Sequence, residues 1–392
     1  MSDILTGLIT ALATLTVCSG AAVHPSSPQS ASPTKLVVDL AKVGWVPSPT
    51  QSNREFLKDV TPDKLFALDE NTRVVFLSEN VIVIYHTMKE GRDWRTAARV
   101  MEAFFVRVTD GSLISTHHWP VGLRKSRDDL IDSEARLVPL GNGNFVVLTN
   151  GVLRLYGPNV DLLREKKLQP ASLNDFWSVQ ALSSGESIFL RHASTSSGVE
   201  YLWASADTLE VEHTVTGYQG RDYSIGGAIA DKDAAFERSR IGIRMIDRDR
   251  RFKVICDDPL CRESGAFKML PSRSLGWSGM SGIGIIDTVR GGLVWSKLVA
   301  PQDRSKAFEF GRMRSAMSGT NFAVWVSANR RALFDEVEMS ALTILVYDIA
   351  NLKSRPSVFR MKTVKSDWDF DLSPDGTRLA FFNGASVEIF SL

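Results

Sequence analysis

A short unit recurs along this chain at intervals of roughly 40 to 50 residues, and that recurrence limits the fold more than any other feature. Each unit contains a small or polar turn followed by an apolar strand. Asn71-Thr72 precedes Val74-Val75-Phe76-Leu77, Gly141-Asn142-Gly143 precedes Phe145-Val146-Val147-Leu148, and Ser184-Gly185 precedes Ile188-Phe189-Leu190. Ser318-Gly319 leads into Phe322-Ala323-Val324-Trp325, and Pro374-Asp375-Gly376 into Leu379-Ala380-Phe381-Phe382. Residues of these types suit tight turns, so the pattern predicts the hairpin between the first two strands of each unit.

Two further features keep step with the first. An apolar strand ends in a turn of the Asp or Gly type at Phe105-Val106-Arg107-Val108-Thr109-Asp110-Gly111, Leu153-Arg154-Leu155-Tyr156-Gly157, Ile243-Arg244-Met245-Ile246-Asp247 and Leu345-Val346-Tyr347-Asp348. Several of these alternate apolar with polar residues, the period of a half-buried strand. An aromatic residue, often after Asp, is expected to open the innermost strand: Asp175-Phe176-Trp177, Asp222-Tyr223, Leu275-Gly276-Trp277 and Asp367-Trp368. The units centre near residues 75, 145, 188, 234, 280, 322 and 379. That spacing predicts an all-β fold, a single seven-bladed β-propeller over residues 35–392. The last unit stops one strand short after Val387-Glu388-Ile389-Phe390, while Lys35-Leu36-Val37-Val38-Asp39-Leu40 supplies a spare strand. Pairing the two would close the ring and remove its sheet edges. The wide first interval predicts an insertion around Lys89 to Ala98, as a short helix or a loop.

The stretch Phe370-Asp371-Leu372-Ser373-Pro374-Asp375-Gly376-Thr377-Arg378-Leu379-Ala380-Phe381 resembles the repeat of WD-repeat-like and TolB-like β-propellers, whose blades carry a Ser-Pro-Asp-Gly turn before an apolar strand. Val346-Tyr347-Asp348-Ile349 is similar to the third strand of the same repeat. The other units keep the outline but lack equivalents of Pro374 and Asp375. The resemblance implies a binding or protein-interaction scaffold. Propellers also host lactonases, quinone-dependent dehydrogenases and peptidase-associated domains, so an enzyme with its site at the mouth of the central channel is the alternative.

Lys plus Arg number 46 against 45 Asp plus Glu, which leaves no overall field to attract nucleic acid. Three cysteines are too few for a disulfide-dense scaffold. An apolar run from Ile4 to Val17 followed by Cys18-Ser19-Gly20-Ala21-Ala22 reads as a signal peptide over residues 1–22, too short for a stable membrane span. Cys18 gives it a weak lipoprotein character, and Ser- and Pro-rich residues 23–34 read as a tether. The protein is therefore expected to be exported, and Cys256 and Cys261, separated by Asp257-Asp258-Pro259-Leu260, are placed to form a disulfide, with free thiols or half a metal site as the competing readings.

No Gly-x-Ser-x-Gly elbow, Gly-Lys-Ser phosphate loop or His-Glu-x-x-His pair is present. His117 and His118, adjacent on a strand, point to opposite faces and are poorly placed to share a metal. His86, His192 and His213 read as surface or satisfied core residues, and Asp128, Asp129 and Asp132 as a solvated loop. The set proposed for ligand contact at the channel mouth is Trp177, Asp222, Tyr223, Trp277, Asp367 and Trp368, against the simpler reading that the aromatics fill the wedges between blades. No cofactor or metal is predicted. A monomer with a protein, peptide or carbohydrate partner is expected.

Overall fold

In the computed structural model, residues 35–45, 72–90, 98–121, 135–169, 175–194, 198–217, 228–239, 241–262, 265–279, 282–298, 309–327, 342–361 and 368–392 are described. Residues 1–34, which hold the expected signal peptide and tether, and Asp128, Asp129, Asp132, Asp222, Tyr223 and Asp367 lie outside them.

The chain folds into seven four-stranded antiparallel sheets. Strand β1 (Lys35–Asp39) stands first in the sequence and last in its sheet. Blade 1 holds β2 (Arg73–Ser78), β3 (Val81–Glu90), β4 (Ala98–Arg107) and β5 (Leu113–Pro120); blade 2 holds β6 (Arg136–Pro139), β7 (Phe145–Thr149), β8 (Val152–Tyr156) and β9 (Leu162–Lys167). Blade 3 runs through β10 (Asp175–Ala181), β11 (Ser187–Ser194), β12 (Gly198–Ser205) and β13 (Val211–Thr216). Blade 4 consists of β14 (Ile229–Ala230), β15 (Ala234–Ser239), β16 (Gly242–Asp247) and β17 (Phe252–Cys256), followed by the single-turn helix α1 (Pro259–Arg262). Blade 5 contains β18 (Gly265–Leu270), β19 (Ser274–Gly279), β20 (Gly282–Asp287) and β21 (Leu293–Leu298); blade 6 contains β22 (Glu309–Ser315), β23 (Asn321–Ser327), β24 (Leu342–Asp348) and β25 (Ser357–Met361). Blade 7 is β26 (Asp369–Leu372), β27 (Arg378–Phe382) and β28 (Ser386–Ser391), completed by β1.

The first strand of each blade lies innermost. Contacts run from β2 to β6, β6 to β10, β14 to β18, β18 to β22, β22 to β26 and β26 back to β2. The fourth strands are the most exposed: Leu162, Leu163, Phe252, Val254 and Val358 all face solvent from them. Seven apolar clusters fill the wedges between neighbours, one for each pair of blades. Alternation explains this arrangement. Successive side chains on a strand point to opposite faces, and in a propeller both faces of a blade meet another blade, so second strands such as β7 and β27 are apolar and buried on both sides.

The ring closes through β1, which pairs antiparallel with β28 in the register Lys35↔Phe390 to Asp39↔Ser386. The chain then turns through a short 3₁₀ helix, Leu40–Val43, capped by the Asp39 carboxylate at its start. Beyond it Trp45 donates from Nε1 to His86 Nδ1 of blade 1 at 3.3 Å and meets Phe382 of blade 7 edge-on. One segment thus pins both sides of the join.

Two sequence expectations are corrected. Asn71-Thr72 and the strand after it do not form an inner hairpin, because β2 is itself the innermost strand; the hairpin turn of blade 1 is Glu79-Asn80. At the ends of the expected insertion, Lys89, Glu90 and Ala98 belong to strands, as β3 and β4 pair out to Glu90↔Ala98; residues 91–97 between them lie outside the described residues.

If β1 closes the ring, its buried face carries the stabilisation. Val38 is 2% exposed and Val37 is 51% exposed. Val38→Ala should cost about 2 kcal/mol in denaturant unfolding and Val37→Ala less than about 0.5 kcal/mol. Equal effects would show that β1 does not hold the ring.

Candidate functional site

The inner strands of blades 5, 6, 7, 1 and 2 carry a group of charged side chains that meet inside the ring. Asp369, at the start of β26, is fully buried. Arg312 Nη1 donates to its Oδ1 at 3.0 Å and Arg314 Nη2 to the same oxygen at 3.1 Å, both from β22 of blade 6. Arg73 of blade 1 approaches Oδ1 to 4.0 Å from the other side, and Val74 N–H donates to Oδ2 at 3.2 Å. Two residues further along β26, Asp371 Oδ2 accepts from Phe76 N–H at 2.9 Å and Oδ1 lies 3.8 Å from Arg314 Nε. Arg314 Nε also donates to the Phe370 carbonyl at 3.1 Å.

The spacing explains the geometry. Asp369 and Asp371, like Arg312 and Arg314, are two apart and so project from one side of their strands, while Phe370 and Met313 between them enter the apolar wedges. The inner edge of β2 has no neighbouring strand in its own sheet, and the two carboxylates pair its Val74 and Phe76 N–H groups.

Burial and charge act in opposite directions on these acids. Burial pushes the Asp369 carboxyl up, but Arg314, Arg312, Arg73 and the Val74 N–H outweigh it and hold Asp369 below the ordinary carboxylate range. Burial dominates at Asp371 and, only partly offset by Arg314, Phe76 N–H and Lys268, pushes it up to about 6. Arg73 is lowered to about 10 by burial, with the charges of Arg312 and Arg136 adding to the effect of burial and Asp369 opposing it. Lys268 of β18 is likewise lowered, first by burial and then by Arg314, against the pull of Asp371.

On the face formed by the hairpin turns, a cavity of about 550 Å³ opens between blades 2 and 3 on one side and blades 6 and 7 on the other. Asn142, Asn144, Ser184, Glu186, Asp207 and Ser318 supply polar groups to its wall. Met317 crosses it: a methyl group added at Gly141 of blade 2 would sit 3.2 Å from Met317 Cε of blade 6. The turns are stiffened by side-chain bonds. In the Ser373–Thr377 turn, Asp375 accepts from Ser373 Oγ, Thr377 N–H and Thr377 Oγ1, and Gly376 takes the left-handed backbone, φ 77°, that the turn requires. Burial alone would raise the Asp375 pKa, but these bonds and Glu79 bring it down to about 2. Glu79 Oε1 accepts from Asp375 N–H at 2.9 Å, and Arg378 donates to the Glu79 carbonyl at 2.7 Å, joining the turns of blades 1 and 7.

The residues singled out from sequence are distributed as follows. Trp177, on the inner strand β10, is buried and stacks on His192 at 4.5 Å. Trp277 is on β19, the second strand of its blade, and is fully buried; its assignment to an innermost strand is corrected. Trp368 is half-buried under the Arg312 guanidinium, 5.9 Å from ring centre, and so borders the charged group. Cys256 and Cys261 are joined as a disulfide. His86 and His118 both bond Glu102, in one cross-strand row, while His117 turns the other way to stack on Trp119. His192 pairs with Glu200 and His213 with the Arg248 carbonyl. Among the described residues no three His, Cys, Asp or Glu side chains converge on a point that would hold a metal.

Arg73, Lys268, Arg312, Arg314, Asp369 and Asp371 were not singled out from sequence. Their one local signal is charge at alternate positions of otherwise apolar strands, Asp369-Phe370-Asp371 and Arg312-Met313-Arg314.

The two acids should respond oppositely to neutralisation. A carboxyl raised in the folded state contributes stability that is complete below about pH 4 and lost as pH climbs through about 6, roughly 3 kcal/mol for the shift at Asp371. Asp369, lowered, contributes stability that is present at neutral pH and lost as pH falls below the ordinary carboxylate range. At pH 7, Asp371→Asn should be at least as stable as the wild type and Asp369→Asn less stable by about 3 to 5 kcal/mol, since it leaves buried guanidinium groups uncompensated. Denaturant unfolding at several pH values checks both, and equal effects would contradict this account.

No family profile matches the chain, and no curated protein matches it by sequence. Solved structures do match. The WD40 repeats of RRP9 align with 82% of this chain and 94% of theirs at 9% identity and a TM-score of 0.51. The Pan2 WD40 domain of Neurospora crassa aligns with 88% of this chain and 93% of its own at 10% identity and a TM-score of 0.52. The WD40 domain of Toxoplasma gondii coronin covers 82% of this chain and 83% of its own at 8% identity and a TM-score of 0.50. Identities this low establish the fold alone, and by fold the chain is a WD40-like seven-bladed β-propeller.

Proposed function

We propose that the protein is an exported binding scaffold that holds a protein or peptide partner against its hairpin-turn face. The cavity between the turns of blades 2, 3, 6 and 7 carries this reading. Its Asn and Ser side chains offer hydrogen bonds in both directions, and Met317 supplies an adaptable apolar surface in its wall. Short, internally bonded turns need little further ordering on binding, which favours affinity. The channel carboxylates, by contrast, are engaged by guanidinium groups and backbone N–H groups that join the blades.

The disulfide supports the export part of the proposal, because such bonds persist in oxidising compartments. It adds to the apolar run Ile4 to Val17.

Binding is tested on peptide and glycan arrays with the purified protein and with Ser184→Trp, which fills the cavity from an exposed turn. The expected result is a retained peptide class whose affinity falls at least tenfold in the variant while unfolding is unchanged. Binding indifferent to Ser184→Trp, or consumption of the bound compound to a product, would overturn the scaffold reading. The compartment is tested separately by thiol labelling of protein recovered from its native host. Cys256 and Cys261 should resist labelling until reduced, and reduction should cost about 2 kcal/mol of stability for so short a loop. Freely reactive thiols in the native protein would contradict export.

A further inference from the structure

We infer that the central channel contains a binding site for a small oxyanion, a phosphate or carboxylate group, formed by Lys268, Arg314, Arg312, Arg73 and Arg136. This site lies within the ring and does not depend on the scaffold reading.

The argument begins from charge balance. Lys268, Arg312, Arg314, Arg73 and Arg136 project from the inner strands of blades 5, 6, 1 and 2, and the carboxylates set among them are Asp369 and Asp371. Arg73 and Arg312 stand on opposite sides of blade 7 and both reach Asp369, so the group surrounds the inner end of that blade instead of lying between one pair of sheets. Asp369 is fully committed, with two guanidinium groups and one N–H at hydrogen-bond distance and a third guanidinium at 4.0 Å. Lys268 Nζ and the Arg136 guanidinium make no hydrogen bond or ion pair with any described residue.

These cations are not on an open surface where water would screen them at little cost. The Arg73, Arg314 and Arg312 side chains are 20%, 25% and 34% exposed, so water and small solutes reach them, and the three share the Asp369 carboxylate, with Asp371 near Arg314. Like charges held together where burial excludes much of the water repel one another more strongly than in bulk water. The lowered titration of Arg73 and Lys268 reports the same crowding and burial. An oxyanion offers several acceptors at once and would give Lys268, Arg136 and the free edges of the other guanidinium groups partners that the described residues do not provide. The Asp371 carboxylate, the one acid here that is only partly compensated, competes with such a ligand.

Calorimetric and thermal-shift titrations of the purified full chain with sodium phosphate, sodium sulfate and sodium succinate, against sodium chloride at matched ionic strength, test the site. At least one oxyanion should bind saturably and raise the unfolding midpoint by a few degrees beyond chloride. The phosphate and succinate arms distinguish a phosphoryl from a carboxylate ligand. Lys268→Met and Arg136→Met, each removing a cation with no ion pair among the described residues, should fold normally without added anion and lose the anion-dependent shift. Asp371→Asn should tighten binding about tenfold by removing the competing charge. Absence of saturable binding, or binding that survives both Lys268→Met and Arg136→Met, overturns the inference, as does weaker binding by Asp371→Asn.

Discussion

A propeller leaves one sheet edge of every blade facing inward, with backbone N–H and C=O groups that have no strand to pair with, and the ring depends on side chains that reach across to them. Asp369 and Asp371 accept from Val74 and Phe76 N–H, and Arg314 donates to the Phe370 carbonyl. Ser278 donates to Gly311, Ser315 to Met269 and Gln180 to Ala230, each across to a neighbouring blade. An unpaired buried peptide group costs about 1 to 3 kcal/mol, so these bonds decide whether a ring of inward edges is tolerable.

The join between blades 7 and 1 carries two of them. Its strands are drawn from opposite ends of the chain, so no short hairpin brings them together and the entropy of closing a long loop opposes contact. Several separate interactions answer that cost: β1 on the outer edge, the apolar cluster between the blades, Trp45 on His86, the two carboxylates on the inner edge, and Glu79 with Asp375 and Arg378 on the turn face. Guanidinium groups from blade 6 hold the carboxylates in place, so the charged group that makes the channel cationic also belongs to the closure of the ring.

Much of the fold was legible because its signals are local. Turn residues such as Gly141, Gly185 and Gly376, whose backbones take positive φ, mark hairpins wherever they occur, and alternation marks strands. The position of a strand within its blade was less legible. Trp277 and Trp177 are both buried, yet one stands on a second strand and the other on a first. Both kinds of strand pack on two faces, so hydrophobic pattern does not separate them.

The candidate site was less legible still. Trp368 marked its border, but the Asp next to it in the chain that reaches the charged group is Asp369, two residues before Asp371 in the strand. Arg312 and Arg314 lie more than 50 residues from their acid and Arg73 nearly 300, and no pattern within a strand says which residues meet across a wedge. The number of blades, the hairpins and the strand left over to close the ring are readable from the chain alone, because backbone conformation and alternate burial are written residue by residue. Which charges share the channel, and which of them find partners among the described residues, emerges with the folded ring. That depends on how seven blades stack in register, and the packing of their wedges sets that register.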